Sequence, residues 1–71
     1  MLNEYFRQLR RTYLSLYHPK IYKELMDDGV LEAHLRHTQC RALDYYESLI
    51  ADGHSERAAR EKVLREIIAL H

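Results

Sequence analysis

Residues 22–35 read YKELMDDGVLEAHL, a helix that must stop at a glycine followed at once by one that must start. Gly29 sits where a left-handed residue closes a helix, and Leu31 and Leu35 open the apolar side of the next one. Either Asp28 or Gly29 serves as the N-cap of that second helix. The passage is a punctuated helical hairpin, and it decides the architecture.

Working backward, Pro19 disfavours helical geometry at His18 and supplies a first-turn residue for the helix carrying Ile21, Tyr22, Leu25 and Met26. Ahead of it, Leu2, Tyr5, Phe6, Leu9, Tyr13 and Leu16 recur at three and four residues, which predicts a first helix ending near Tyr17. Working forward, Leu31, Leu35, Thr38, Ala42, Tyr45, Tyr46 and Leu49 share one broad side of a long third helix, with Leu43 and Ile50 on its shoulder. So wide a face belongs to a central helix contacted by several others. Gly53 ends it, Ser55 caps the last helix, and Ala59, Val63, Ile67 and Leu70 form that helix's stripe, broadened by Leu64 and Ile68. Glu61 and Arg65 are spaced as an i,i+4 pair. No segment alternates with a period of two. The chain is therefore expected to be all-α, one compact four-helix domain over residues 1–71, with helices at about 2–17, 19–28, 31–52 and 55–70.

A chain of 71 residues is near the length at which one core just offsets the ordering of the backbone. Eleven basic residues balance eleven acidic ones, so no overall field draws the molecule onto a polyanion. A single cysteine, Cys40, excludes an internal disulfide framework and fits a reducing compartment, and a cytoplasmic location is expected. Asn3, Glu4 and Arg7 occupy the place where a signal peptide needs an apolar run, and the longest apolar stretch, Ile67–Leu70, is far too short to span a membrane.

Charge is nevertheless unevenly placed. Residues 1–24 carry five basic and two acidic side chains, and residues 25–54 two basic and six acidic ones, which suits a basic partner at the middle of the chain or two copies set head to tail. Arg7, Arg10 and Arg11 cluster around Leu14, a leucine outside the stripe, with Tyr17 beside them. These five residues form the expected patch for a protein partner or for phosphates, against the plainer reading of a solvated helix face.

Other constellations carry less. Gly29 and Leu35 invite comparison with a groove-reading helix-turn-helix, yet the second helix mixes Glu32, Asp44 and Glu47 with Arg36, Gln39 and Arg41. His37, Cys40 and Asp44, with His34 at their edge, have permissive zinc spacing without a second cysteine or an HExxH motif, so no metal or other cofactor is expected. Cys40 as a nucleophile lacks a pocket with a base and an oxyanion site, and His18 reads as a helix-junction residue. Six tyrosines without tryptophan fit core rims, with interface anchoring as the alternative.

The run from Arg11 to Leu35, RTYLSLYHPKIYKELMDDGVLEAHL, resembles the core of the small transposon-encoded TnpV family. The matching positions are Tyr13, Leu14, His18, Tyr22, Leu25, Gly29, Leu31 and Leu35, then Ala42, and at the close Val63, Leu64, Glu66, Ile67 and Ile68. Family members usually carry a segment ahead of the first helix and a longer, tryptophan-containing connection before the last. The resemblance implies an accessory protein of a mobile element, not its recombinase, and it brings no catalytic residues. The expectation is a non-enzymatic protein that binds a macromolecule, foremost a protein, inhibiting or adapting a host or defence complex, and alternatively DNA through the basic patch on the first helix, with self-association open and no membrane.

Overall fold

The computed structural model describes residues 2–69, so the expected end of the last helix at Leu70 lies outside the described residues. Four α-helices follow one another, α1 Leu2–Tyr17, α2 Pro19–Asp27, α3 Leu31–Ala51 and α4 Glu56–Val63, and α4 continues into a wider π-helical segment, Leu64–Ile68. Among the described residues there is no strand. The all-α domain expected from the spacing is the one observed.

Two glycines make the stops. Gly29 has φ 72°, its N–H donates to the Met26 carbonyl at 3.1 Å, and the N–H of Val30 reaches back to the Leu25 carbonyl at 3.0 Å. Gly53 repeats the arrangement with φ 99°, the Ile50 carbonyl at 3.0 Å and the His54 N–H to the Leu49 carbonyl at 3.0 Å. Both are Schellman closures, in which a left-handed residue lets two otherwise unpaired carbonyls be satisfied. At the starts, Ser55 Oγ accepts from the Ala58 N–H at 3.1 Å, as an N-cap should. The start of α3 differs from expectation. Its N-cap is Val30 with no side-chain bond, because Asp28 and Gly29 are both occupied in closing α2.

Phe6 on α1 stacks obliquely on Tyr46 of α3, with ring centroids 5.9 Å apart, while Arg11 meets Glu32 at the opposite end of both helices, so α1 and α3 run antiparallel. From α4 and the π segment, Ala59, Val63 and Ile68 join Phe6, Ala42, Tyr46 and Leu49 in one core. These three helices form the bundle. The predicted inner side of α3 is confirmed: Leu31, Leu35, Thr38, Ala42, Tyr46 and Leu49 are buried, with Tyr45 half-buried at the edge.

α2 stands outside this bundle. It touches α1 and α3 at one end, and among the described residues it has no contact with α4 or the π segment. α3 has 21 residues, about 31 Å, and Glu56–Ile68 rises about 20 Å along it. The product is a rod of 41 × 19 × 18 Å.

The expected Glu61–Arg65 pair does not form among the described residues. Glu61 instead meets Arg57 at 3.5 Å, and Lys62 meets Glu66 at 3.5 Å. Glu61 is thus engaged one turn back, toward Arg57.

A Cβ built on Gly29 or Gly53 would meet nothing within 4 Å, so substitution there is resisted by backbone conformation alone. Gly29→Ala is expected to lower the unfolding free energy by about 1 to 2 kcal/mol, with Gly29→Asn costing less, since Asn tolerates the left-handed region. Urea denaturation of the two variants measures the difference. Equal stability of the alanine variant and the parent would contradict the closure described.

Candidate functional site

α1 presents an apolar arc of roughly half its circumference, from Tyr5 and Leu16 on one edge through Leu9, Tyr13 and Phe6 to Leu14 on the other. A helix packed on one side buries only part of such an arc. The part chosen here carries Phe6, Arg10 and Leu14, spaced by four, which are its buried residues. Relative to the expected stripe the helix is turned by roughly 90°, so that Tyr5 and Leu16 become exposed.

This turn takes apart the expected patch of Arg7, Arg10, Arg11, Leu14 and Tyr17. Leu14, read as an exposed leucine, is wholly buried, and it belongs to the core instead. Arg10 is buried as well, at 6% exposure. Its Nη1 donates to the Ile68 carbonyl at 2.8 Å, its Nε donates to His34 Nε2 at 3.3 Å, and its guanidinium carbon stands 5.7 Å from the centre of the Tyr13 ring. Burial pushes the Arg10 pKa down, an effect opposed by Tyr13 and reinforced by Arg41. Carbonyls in the last turn of a helix lack a partner within the helix, and Arg10 satisfies one of them.

Arg11 donates from Nη2 to Glu32 Oε2 at 2.7 Å, closing the basic first helix onto the acidic start of α3. Its pKa is raised, chiefly by the hydrogen bond to Glu32 and then by one to Tyr22. Both partners are partly or largely exposed, so the pair fixes geometry more than it adds stability. Arg7, half-buried, is the one member of the trio without an ion pair or hydrogen bond among the described residues. Tyr17 remains on the surface at 68% exposure, its ring 5.3 Å from that of Tyr13. The basic cluster is thus mostly internal wiring.

What the surface does present is apolar. α2 buries none of its residues: Tyr22 and Leu25, in the middle of its apolar side, are half-buried, while Ile21 and Met26 on the two shoulders are exposed. With Tyr17 before α2 and Val30 after it, they leave four large apolar side chains exposed around α2. Contiguous exposed apolar groups mark interaction surfaces more often than single ones do, and these four fall within residues 17–30, Ile21 and Met26 on opposite shoulders of α2. The sequence placed Ile21 and Met26 on a face to be covered. The readable signal against this was that nine residues between two breakers form a helix with no stripe left elsewhere to cover both shoulders.

His18 sits at the helix junction as expected, its Nε2 3.3 Å from the Tyr13 hydroxyl and its carbonyl accepting from the Tyr22 N–H at 3.0 Å. His37, Cys40 and Asp44 are exposed along α3, and among the described residues no group of three ligands is placed to hold a metal ion. A shallow depression on α4 is lined by Glu61, Leu64, Arg65 and Ala69. No helix is long and apolar enough to cross a membrane among the described residues. Compared with protein-family models, with curated proteins and with solved structures, the chain finds no match.

Two tests follow from the Arg10 contacts. Arg10→Met keeps the length of the side chain but strands the Ile68 carbonyl, and is expected to cost about 1 to 3 kcal/mol in denaturant unfolding, against less than about 0.5 for Arg7→Ala. Equal costs would mean that the buried guanidinium does not hold the bundle.

The second concerns acid. Burial first, then the charge of Arg10 and the nearby His37, hold the His34 pKa below its ordinary 6.5. Between those two values the unfolded chain binds the proton and the folded chain does not, so stability must fall as pH drops through that window and recover above it. A His34→Gln variant, followed by denaturation at pH 7.5 and 5, is expected to lose less stability on acidification than the parent; an unchanged loss would locate the effect elsewhere.

Proposed function

We propose that this protein is a non-catalytic binding domain whose partner is a protein, engaged through the apolar end formed by Tyr17, Ile21, Met26 and Val30. The observation that supports this is the exposure of both shoulders of α2, a helix whose apolar residues would otherwise be expected inside. In a domain with a small core, apolar side chains held in water are retained at the cost of solubility, and a partner's surface is what makes them useful. The aromatic and methionine content of the set suits the centre of an interface, where such residues are enriched and charges are depleted.

The biological setting follows the resemblance drawn on the sequence: an accessory protein of a mobile genetic element, acting in the cytoplasm by inhibiting or adapting a host or defence complex. A DNA-binding role is less well supported, because Arg10 is buried and Arg11 is paired with Glu32, which removes two of the three cations it relied on.

A photo-crosslinking amino acid at Tyr17, introduced in the native host, tests the reading. A discrete crosslinked protein is expected, lost when Ile21→Asp and Met26→Asp are combined while circular dichroism stays helical. A crosslink that survives both substitutions, or none at all, would refute the proposed surface.

A further inference from the structure

The turn of α1 leaves a second exposed feature, on a different side of the molecule from Tyr17. Leu2, Tyr5, Leu9, Thr12 and Leu16 fall at alternating steps of three and four, the spacing of a helix-packing seam. Leu2 and Leu9 are half-buried, while Tyr5 at 44% and Leu16 at 67% project into solvent. Beside this seam lie Gln8 and Ser15, both exposed and uncharged. Of the charged residues of α1, Glu4, Arg7 and Arg11 are grouped on the far flank and Arg10 is inside. In a chain with 31% charged residues, an outward helix face without a single charge stands out.

We propose that this face is a homodimer interface, in which α1 of one copy packs antiparallel against α1 of a second copy. Two properties favour a copy of this chain over another occupant. A charge-free seam meets itself without like-charge repulsion, whereas it offers a charged partner nothing to pair with. The seam is also self-complementary under a two-fold axis passing between Leu9 and Thr12. That axis sets Tyr5 opposite Leu16 of the second copy and Leu9 opposite its Thr12, so the two most exposed apolar residues cover each other in both halves. From Tyr5 to Leu16 the seam rises about 16 Å, enough for one helix-to-helix contact and less than a standard interface. The dimer is accordingly reversible. This inference does not rest on the surface around α2.

Sedimentation equilibrium from about 10 µM to about 1 mM, the range suited to an interface below standard size, gives the first test. The expected result is a monomer–dimer equilibrium that shifts toward monomer by at least tenfold in Leu16→Glu and in Tyr5→Glu, both exposed positions at which helicity should persist. Met26→Asp, on the α2 surface, should leave the equilibrium unchanged. A monomer throughout the range overturns the proposal, as does a dimer indifferent to Leu16→Glu or one abolished by Met26→Asp. Orientation is read with spin labels on Glu4→Cys and Gln8→Cys in a Cys40→Ser background. Antiparallel packing predicts inter-copy distances longer at position 4 than at position 8 by roughly 12 Å along the axis, and equal distances would overturn it.

Discussion

A buried guanidinium holds the end of this bundle together. Arg10 reaches from α1 to the carbonyl of Ile68 and to the ring of His34, which ties the first helix, the central helix and the closing π segment at one level of the rod. An arginine taken out of water this far must spend its donors on protein acceptors, because a stranded charge would cost more than the small core returns. One of the acceptors it finds, the Ile68 carbonyl, is of the kind a helix end leaves over. The other contact requires His34 to be unprotonated at Nε2, so that arm of the pin holds only on the basic side of the histidine's titration. The exposure of Tyr5 and Leu16 and the burial of Leu14 both follow from α1 being turned to bring Arg10 inside.

The parts of this fold legible in the sequence are those set by local chemistry. Glycine at 29 and 53 supplies the left-handed closures, Ser55 an N-cap and Pro19 a break, each readable because one residue type answers one backbone need. The inner side of α3 was equally plain, since its apolar residues leave one consistent register. α1 was not. Its apolar arc spans about half a turn, and hydrophobicity alone cannot choose which part is buried. The choice is made by a charged residue inside the arc, whose acceptors lie on α3 and beyond α4, and a tertiary partner of that kind leaves no trace in spacing. The π segment was hidden for the same reason.

The expected patch failed on the same rotation. Three arginines around a leucine suggested a surface because charged side chains are exposed by default, yet one arginine became core wiring and another a clasp to Glu32. In their place stand apolar groups that the sequence had assigned to the interior. Among the described residues α2 is contacted by α1 and α3 alone. A nine-residue helix cannot bury both shoulders of its apolar side against two neighbours that meet only its middle.

The arrangement of the two exposed surfaces has a consequence if α1 pairs as proposed. A two-fold axis between Leu9 and Thr12 directs the C-terminal ends of the two first helices, and with them the two copies of α2, toward opposite ends of the dimer. Neither apolar end would be covered by dimerisation, and each would remain open to its own partner. A weak dimer would then act as a bivalent ligand for any target that presents two suitable sites, and its avidity would depend on protein concentration and on whether the target's spacing lets both ends engage at once. A target with a single site would gain nothing from the second copy. The seam on α1 and the platform at α2 would thus divide the work between them, one setting how many surfaces are offered and the other what they hold.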